Sequence, residues 1–475
     1  MTETHSEEQT ETHIPLWAHV LICVIVGYLL SLLWGRINQF EEAGVRVAGR
    51  LTAPLVGKLA YGKGHRDQIS LLLLGDEDLQ RMGSQWPIPY SVHGDMLRTL
   101  AQYKPKAVML DILFLDKRKD GSIGELVDAL CDLQRQGIRV YLAALPKDGK
   151  GEESWEVRPE LRRCATLVAV PKDEDFLDNQ TWSYDLRVKE NPDHPTAAMA
   201  MYRDAVGLAP DSPLFEEPIG LVWGADSDPE SDKRQRECRE ISVLTPLLHP
   251  VASILGEEHG SAICGFHPVV SGAVLLNGED ETYLKHALTG RYVFYGASLT
   301  GASDIAKSPI QGSQPGSTVH AMALDNLLTY GPSYKKSLSP DGRNRSDIFV
   351  LLCLFLIAAL KLSLEQAYRY RTKPHDLPAT TLAARLSNRL LTLLGWIGEN
   401  RDDPKSRLAY LHGLAARMLI VVLWLFPCGI GLAYIGYQWF DLAPMTWITF
   451  ALFPILLEFE EATEKVMKFR DLDWR

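Results

Sequence analysis

Hydrophobic residues are spread very unevenly along this chain. Residues 14–34 form an unbroken run without a formal charge, long enough at about 1.5 Å per residue to cross a hydrocarbon core of about 30 Å. No comparable run follows until residue 348, where residues 348–364, 418–439 and 442–457 each carry the apolar density of a membrane helix. The first of these contains Lys361, whose apolar stem can carry its amine to the interface. The last two pair as a hairpin with its turn at Phe440-Asp441. The predicted order is a tail (1–13), a span (14–35), a large domain (36–346), a span (347–364), an insert (365–417), two spans (418–439 and 442–457) and a second tail (458–475). A cleaved signal peptide is the competing reading of the first run, but the preceding MTETHSEEQTETH has no Lys or Arg and residues 31–34 (SLLW) are a poor cleavage site.

Inside the large domain the pattern changes. Short apolar or β-branched runs at residues 69–74 (ISLLLL), 107–110, 139–143 (RVYLA), 166–170 (TLVAV) and 291–295 (RYVFY) predict buried strands. Between them, residues 92–103, 124–136 and 197–206 place apolar side chains at helical spacing. This alternation predicts an α/β domain with a mainly parallel sheet, joined to an α-helical membrane region of about four spans. Residues 209–287 are not legible in this way, and DSDPESDKRQRE within them reads as an exposed loop.

Charge orients the spans. Lys and Arg crowd the insert (Arg369, Arg371, Lys373, Arg385 and Arg389 among them) and the last tail (Lys465, Lys468, Arg470, Arg475), so both are expected in the cytoplasm and the domain outside it. Arg36, Arg46 and Arg50 beside the first span run against this. The mean hydropathy of -0.07 is an average over unlike parts. A net charge of -11 argues against nucleic acid as the main partner. The seven Cys show no CxxC spacing, and neither a metal nor a cofactor is expected. An extracytoplasmic location leaves disulfides among Cys131, Cys164, Cys238 and Cys264 open, but Cys131, on the apolar face of ELVDALCDLQ, reads as a buried free thiol.

Ligands of open parallel sheets bind beyond the carboxyl ends of the strands. That rule selects Asp76 after the first strand, Asp111 after the second, and Ser298, Thr300 and Asp304 after the last. Residues 315–320 (PGSTVH) then read as a turn, a cap and a helix opening that contains His320. Backbone amides at this helix start, with the Ser298 and Thr300 hydroxyls, form a candidate anion site. Gly296 to Gly301 has phosphate-loop spacing, but no Lys-Ser/Thr pair follows. Asp76, Asp111, Asp304 and His320 admit a metal or acid/base reading, against which stands the commoner use of such residues to fix loops.

The run ISLLLLGDEDLQRMGSQWPIPYSVHGDMLRTLAQYKPKAVMLDILFLD resembles the opening of the type-two CHASE domain, the cyclase/histidine-kinase-associated sensory extracellular module. It shares a strand ending in Asp, a Trp-Pro-x-Pro turn at Trp86, a helix with His93, and Ala107-Val108 leading to Asp111. The run LTGRYVFYGASLTGASDIAKSPIQGSQPGSTVHAMALDNLL resembles the module's close. The resemblance implies one span before the domain, three after it, and a sensory receptor of the bacterial inner membrane whose domain faces the periplasm or exterior. Trp86 and His93 thereby join Asp76, Asp111, Ser298, Thr300, Asp304 and His320 as ligand-binding candidates, with no catalytic residue. The family usually carries a cytoplasmic kinase or cyclase. Residues 458–475 are too few for one, so output through a separate cytoplasmic protein is expected.

Two further patterns bear on signalling. Ile37, Phe40, Gly44, Val47 and Leu51 form a short seam suited to a homodimer or to packing on the domain itself. Residues 380–397 form a basic amphipathic helix for anionic lipid or for a cytoplasmic signalling protein at residues 365–417. The leading expectation is thus a transmembrane sensor for an unknown small ligand or protein. A structural membrane protein that recruits envelope partners is the alternative, and an extracytoplasmic enzyme the remoter one.

Overall fold

The computed structural model describes residues 53–54, 56–115, 120–147, 154–171, 179–189, 191, 193–209, 215, 217–232, 265–301 and 304–336, with residues 431, 435, 437 and 439. The chain divides into two compact units, one of Arg46–Pro340 with Gly436–Thr446, the other of Met1–Val45, Asp341–Ile435 and Trp447–Arg475. Nearly all described residues belong to the first. Among them no helix is long and apolar enough to cross a membrane. The spans expected at 14–35, 347–364 and 442–457, most of that at 418–439, the seam of Ile37 to Leu51 and the insert at 365–417 lie outside the described residues.

Six parallel strands form the centre: β1 (Ile69–Gly75), β2 (Ala107–Leu110), β3 (Arg139–Ala143), β4 (Thr166–Val168), β5 (Val269–Ser271) and β6 (Tyr292–Ser298), in the spatial order β4-β3-β2-β6-β1-β5. They are short and apolar because both faces are covered. The register carries Leu167, Leu142, Leu110, Tyr295, Leu72 and Val270 across the sheet as one row. On this face pack α2 (Tyr90–Ala101), α3 (Ile123–Arg135), α5 (Gly272–Asn277) and α6 (Glu281–Leu288). Leu71, Phe294, Met109 and Tyr141 project to the opposite face, where α4 (Ala197–Val206) and α7 (Ser317–Tyr330) lie. Along α7 every residue from Ser317 to Leu327 is buried, as befits a helix held between the sheet and α4 rather than on a surface. A short α1 (Asp76–Arg81) follows β1, and an antiparallel pair, β7 (Ile305–Ser308) and β8 (Gly312–Pro315), leads into α7.

The mainly parallel α/β sheet is as the alternation predicts. Helix α4 has the predicted bounds, and the first three strands begin where expected. The strand expected at 166–170 stops at Val168, Ala169 making only a bridge to Thr196. The illegible region supplies β5 and α5, whose amphipathic signal is too short to register. Cys131 is not a free thiol: it forms a disulfide with Cys164 across 33 residues, at a Cα–Cα distance of 4.9 Å. The turn Pro159–Cys164 after β3 folds back against α3, a return that periodicity does not reveal.

Closing a 33-residue loop restricts the unfolded chain, so Cys131→Ser with Cys164→Ser should cost roughly 3 to 4 kcal/mol. The thermal midpoint of the full chain with and without reductant measures this, and the double variant should lose the reductant effect.

A candidate ligand crevice at the carboxyl edge of the sheet

Strand β6 comes last in the sheet but sits between β1 and β2. The helices that follow β1 and β2 pack on one face, whereas α7, which follows β6, packs on the other. Adjacent strands whose helices leave to opposite faces open a crevice at their carboxyl ends.

At this edge of the sheet the helix approaches the strand closely. A Cβ on Gly296 would lie 2.9 Å from the Ser317 Oγ and 3.0 Å from its Cβ. Glycine at this point of β6 therefore lets the start of α7 reach the sheet. Ser317 and Thr318 are 0% and 2% exposed. Neither hydroxyl has a hydrogen-bond partner among the described residues, which is costly because a buried orphan hydroxyl loses its water without compensation.

Strand alternation turns Asp111, one residue past β2, towards α7. Its Oδ1 stands 3.8 Å from His320 Nε2. His320 Nδ1 is 3.0 Å from the Tyr184 hydroxyl, and the two rings meet edge to face at 5.5 Å. Burial pushes the Tyr184 phenol well above its ordinary acidity range, and Asp111 adds to the effect, so Tyr184 remains a neutral hydroxyl here. Asp304 accepts a hydrogen bond from the Gly316 amide on its backbone oxygen at 3.0 Å, and its carboxylate packs against Gly316. That carboxylate takes the position at the helix start where an anion was expected. Two carboxylates and two orphan hydroxyls suit a ligand that brings hydroxyl or amine groups.

The remaining sequence candidates lie apart from this group. Asp76 is exposed and accepts from the Thr300 amide at 2.8 Å. Thr300 holds the Asp76 carboxyl below its ordinary value, so the pair fixes the loop after β6. Ser298 is exposed at the end of β6. His93 is fully buried on the other face of the sheet, 2.7 Å from the Tyr295 hydroxyl and edge-on to Phe114. Trp86, 38% exposed, stands edge-on to His93 at 6.4 Å. The structure thus brings Asp111 to His320, sets Asp304 against Gly316 at the start of the same helix, and leaves Asp76, Trp86, His93, Ser298 and Thr300 apart from them. Among the described residues no group of three or more His, Cys, Asp or Glu is arranged to hold a metal ion.

Two carboxylates escaped the sequence reading. Asp78 accepts from the Gly75 amide at 2.7 Å and the Ala273 amide at 3.1 Å, and also from the Ser271 hydroxyl, which ties the ends of β1 and β5 together. Asp325, fully buried in α7, accepts from the Tyr61 hydroxyl, the His65 amide at 3.0 Å and His267 Nε2 at 3.1 Å. The signal for it was available: Asp325-Asn326 interrupts an otherwise apolar helical run.

The pattern that defines the CHASE2 domain matches residues 20–360. No curated protein and no solved structure shows significant similarity to the chain.

Gly296→Ala should destabilise by about 1 to 3 kcal/mol through overpacking. Ser317→Ala should be neutral or stabilising because it deletes an orphan hydroxyl, and Ser317→Gly should rescue Gly296→Ala; thermal unfolding reads all three. The Asp76 carboxyl titrates below its ordinary 3.8. Its contribution is therefore complete above that pH and is lost as acidification reaches the lower folded value. Asp76→Asn should flatten this acid limb when the unfolding midpoint is followed from about pH 5 to pH 2.

Proposed function

The chain belongs to the CHASE2 domain family, a family of sensory extracellular domains, and from that membership we propose that it is a membrane-anchored receptor. In this reading the unit containing Arg46–Pro340 faces the periplasm or exterior and takes a small ligand at the carboxyl edge of its sheet. Spans at 14–35, 347–364, 418–439 and 442–457 anchor it in the bacterial inner membrane. A separate cytoplasmic protein at residues 365–417 receives the signal.

The observation that carries the ligand reading is the pair of orphan hydroxyls, Ser317 and Thr318, buried at the start of α7 beside Asp111 and His320. Native structures rarely leave buried polar atoms unpaired, and exceptions concentrate where something else completes them. His320 engages Tyr184 and faces Asp111 beside these hydroxyls. The Cys131–Cys164 disulfide supports the outward placement, because such bonds persist in oxidising compartments.

The test uses the full chain in intact cells. Val206 is 52% exposed at the end of α4. Val206→Cys should react with a membrane-impermeant maleimide before permeabilisation, relative to the parent chain. Labelling only after permeabilisation would place the domain in the cytosol and end the receptor reading. The chain purified from native membranes should also co-purify a cytoplasmic protein that is lost when residues 365–417 are replaced by a neutral linker.

A further inference from the structure

At the far end of α7 lies an arrangement that ligand binding does not use. Lys335 is 4% exposed, a burial rare for a lysine. Its ammonium stands 5.0 Å from the centre of the Tyr330 ring and 4.6 Å from that of Tyr437, and it donates to the Tyr437 backbone carbonyl. The two tyrosine hydroxyls hydrogen-bond to each other, with the rings edge-on at 6.2 Å. Burial and the proximity of Tyr437 push the Tyr330 phenol far up, so it stays neutral. Tyr330 also packs on Tyr61 at 5.8 Å, and Tyr61 donates to Asp325.

A buried ammonium is tolerable where ring faces and a carbonyl replace its water, and that demands a fixed geometry. Here the geometry joins three stretches of chain. Tyr61 closes the helical turn Gly57–Tyr61, Tyr330 and Lys335 end α7 and its continuation, and Tyr437 lies 102 residues beyond Lys335. Gly436–Thr446 belongs to the same compact unit as Arg46–Pro340. The described surface at this end also shows two large apolar side chains, Leu59 at 69% and Trp439 at 78% exposure. Each stands two residues from a tyrosine of the cluster, and both suit the edge of a bilayer better than water.

We propose that Lys335 is the pin of a joint that docks the turn between the last two spans onto the base of the sensory domain, with Tyr330 and Tyr437 as its walls. The C-terminal hairpin then becomes a second mechanical exit for movements of α7, beside the first span. This rests on the four-span reading above in one respect: the span at 418–439 brings Tyr437, three residues before the turn at Phe440-Asp441, to the side of the membrane that the domain occupies.

The test takes the full chain in native membranes with p-benzoylphenylalanine in place of Tyr437. Irradiation should crosslink it to the peptide containing residues 330–336; no crosslink, or crosslinks only elsewhere, overturns the docking. In lipid nanodiscs, Tyr437→Ala and Lys335→Met should each speed amide exchange across residues 322–330 by about fivefold. The double variant should add little beyond either, and Lys335→Arg should keep parental rates. Unchanged exchange overturns the coupling even where the crosslink forms. Should Val206→Cys prove cytosolic while the crosslink persists, the joint stands and the outward orientation falls. Outside labelling without a crosslink removes the joint alone.

Discussion

The carboxylate of Asp325 sets the position of α7, and the rest of the unit is arranged around it. It is fully buried, and its donors come from separate stretches: Tyr61 and His65 ahead of β1, His267 ahead of β5, and Thr329 one turn further along the helix. Among the described residues, His267 Nδ1 has no partner, and Nε2 is the ring nitrogen that meets Asp325, at 3.1 Å. Gly64 completes the enclosure. Its backbone has φ +49°, and a Cβ there would run into the Asp325 carboxylate, so the residue meets both a conformational and a steric demand. Leaving so enclosed an acceptor without one of its donors costs about 1 to 3 kcal/mol, which makes the register of α7 on the sheet hard to shift in small steps.

Asn326, the next residue, works in the same direction. Its side chain accepts from the Val222 amide at 2.9 Å and donates to the Val222 carbonyl at 2.9 Å, pairing with a passing segment as a strand would. With eleven successive residues buried from Ser317 to Leu327, α7 behaves as a rod of about 21 Å gripped along most of its length. Packed interiors pass displacement on instead of absorbing it. The proposed receptor reading therefore makes α7 the element that would carry a change at Gly296 towards Asp325 and Tyr330.

How far this was legible from sequence depended on the range of the interaction. The strands ISLLLL and RVYLA and the helix at 197–206 announce themselves through local apolar spacing, and so did the carboxyl edge as the place to look. Asp111 was selected by that rule, and it stands 3.8 Å from His320. Asp76 and Asp78 stand two residues apart after the same strand, and nothing local says that the first would hold a surface loop while the second ties β1 to β5. Which of them turns inward is decided by Ser271, almost two hundred residues on. The same holds for Cys131, whose helical pattern is correct and whose partner is set by a return of the chain. His93, placed at the site by resemblance, proves to be a core residue against Tyr295, because strand alternation sends Tyr295 to the face opposite His320.

The two ends of α7 are chemically unlike, and the difference gives the helix a direction. At Tyr330 and Lys335 the described polar groups are saturated by rings, hydroxyls and a carbonyl. At Ser317 and Thr318 two hydroxyls are left short, each at a cost of about 1 to 3 kcal/mol. A ligand shifts an equilibrium only by its differential affinity for the two states. Driving a two-state element from 1:99 to 99:1 needs about 5.5 kcal/mol. Satisfying both hydroxyls approaches that figure, and a contact to Asp111 or His320 would supply the remainder. In the receptor reading proposed above, the energy for switching is concentrated at the Ser317 end of the helix, and the Tyr330 end holds its geometry.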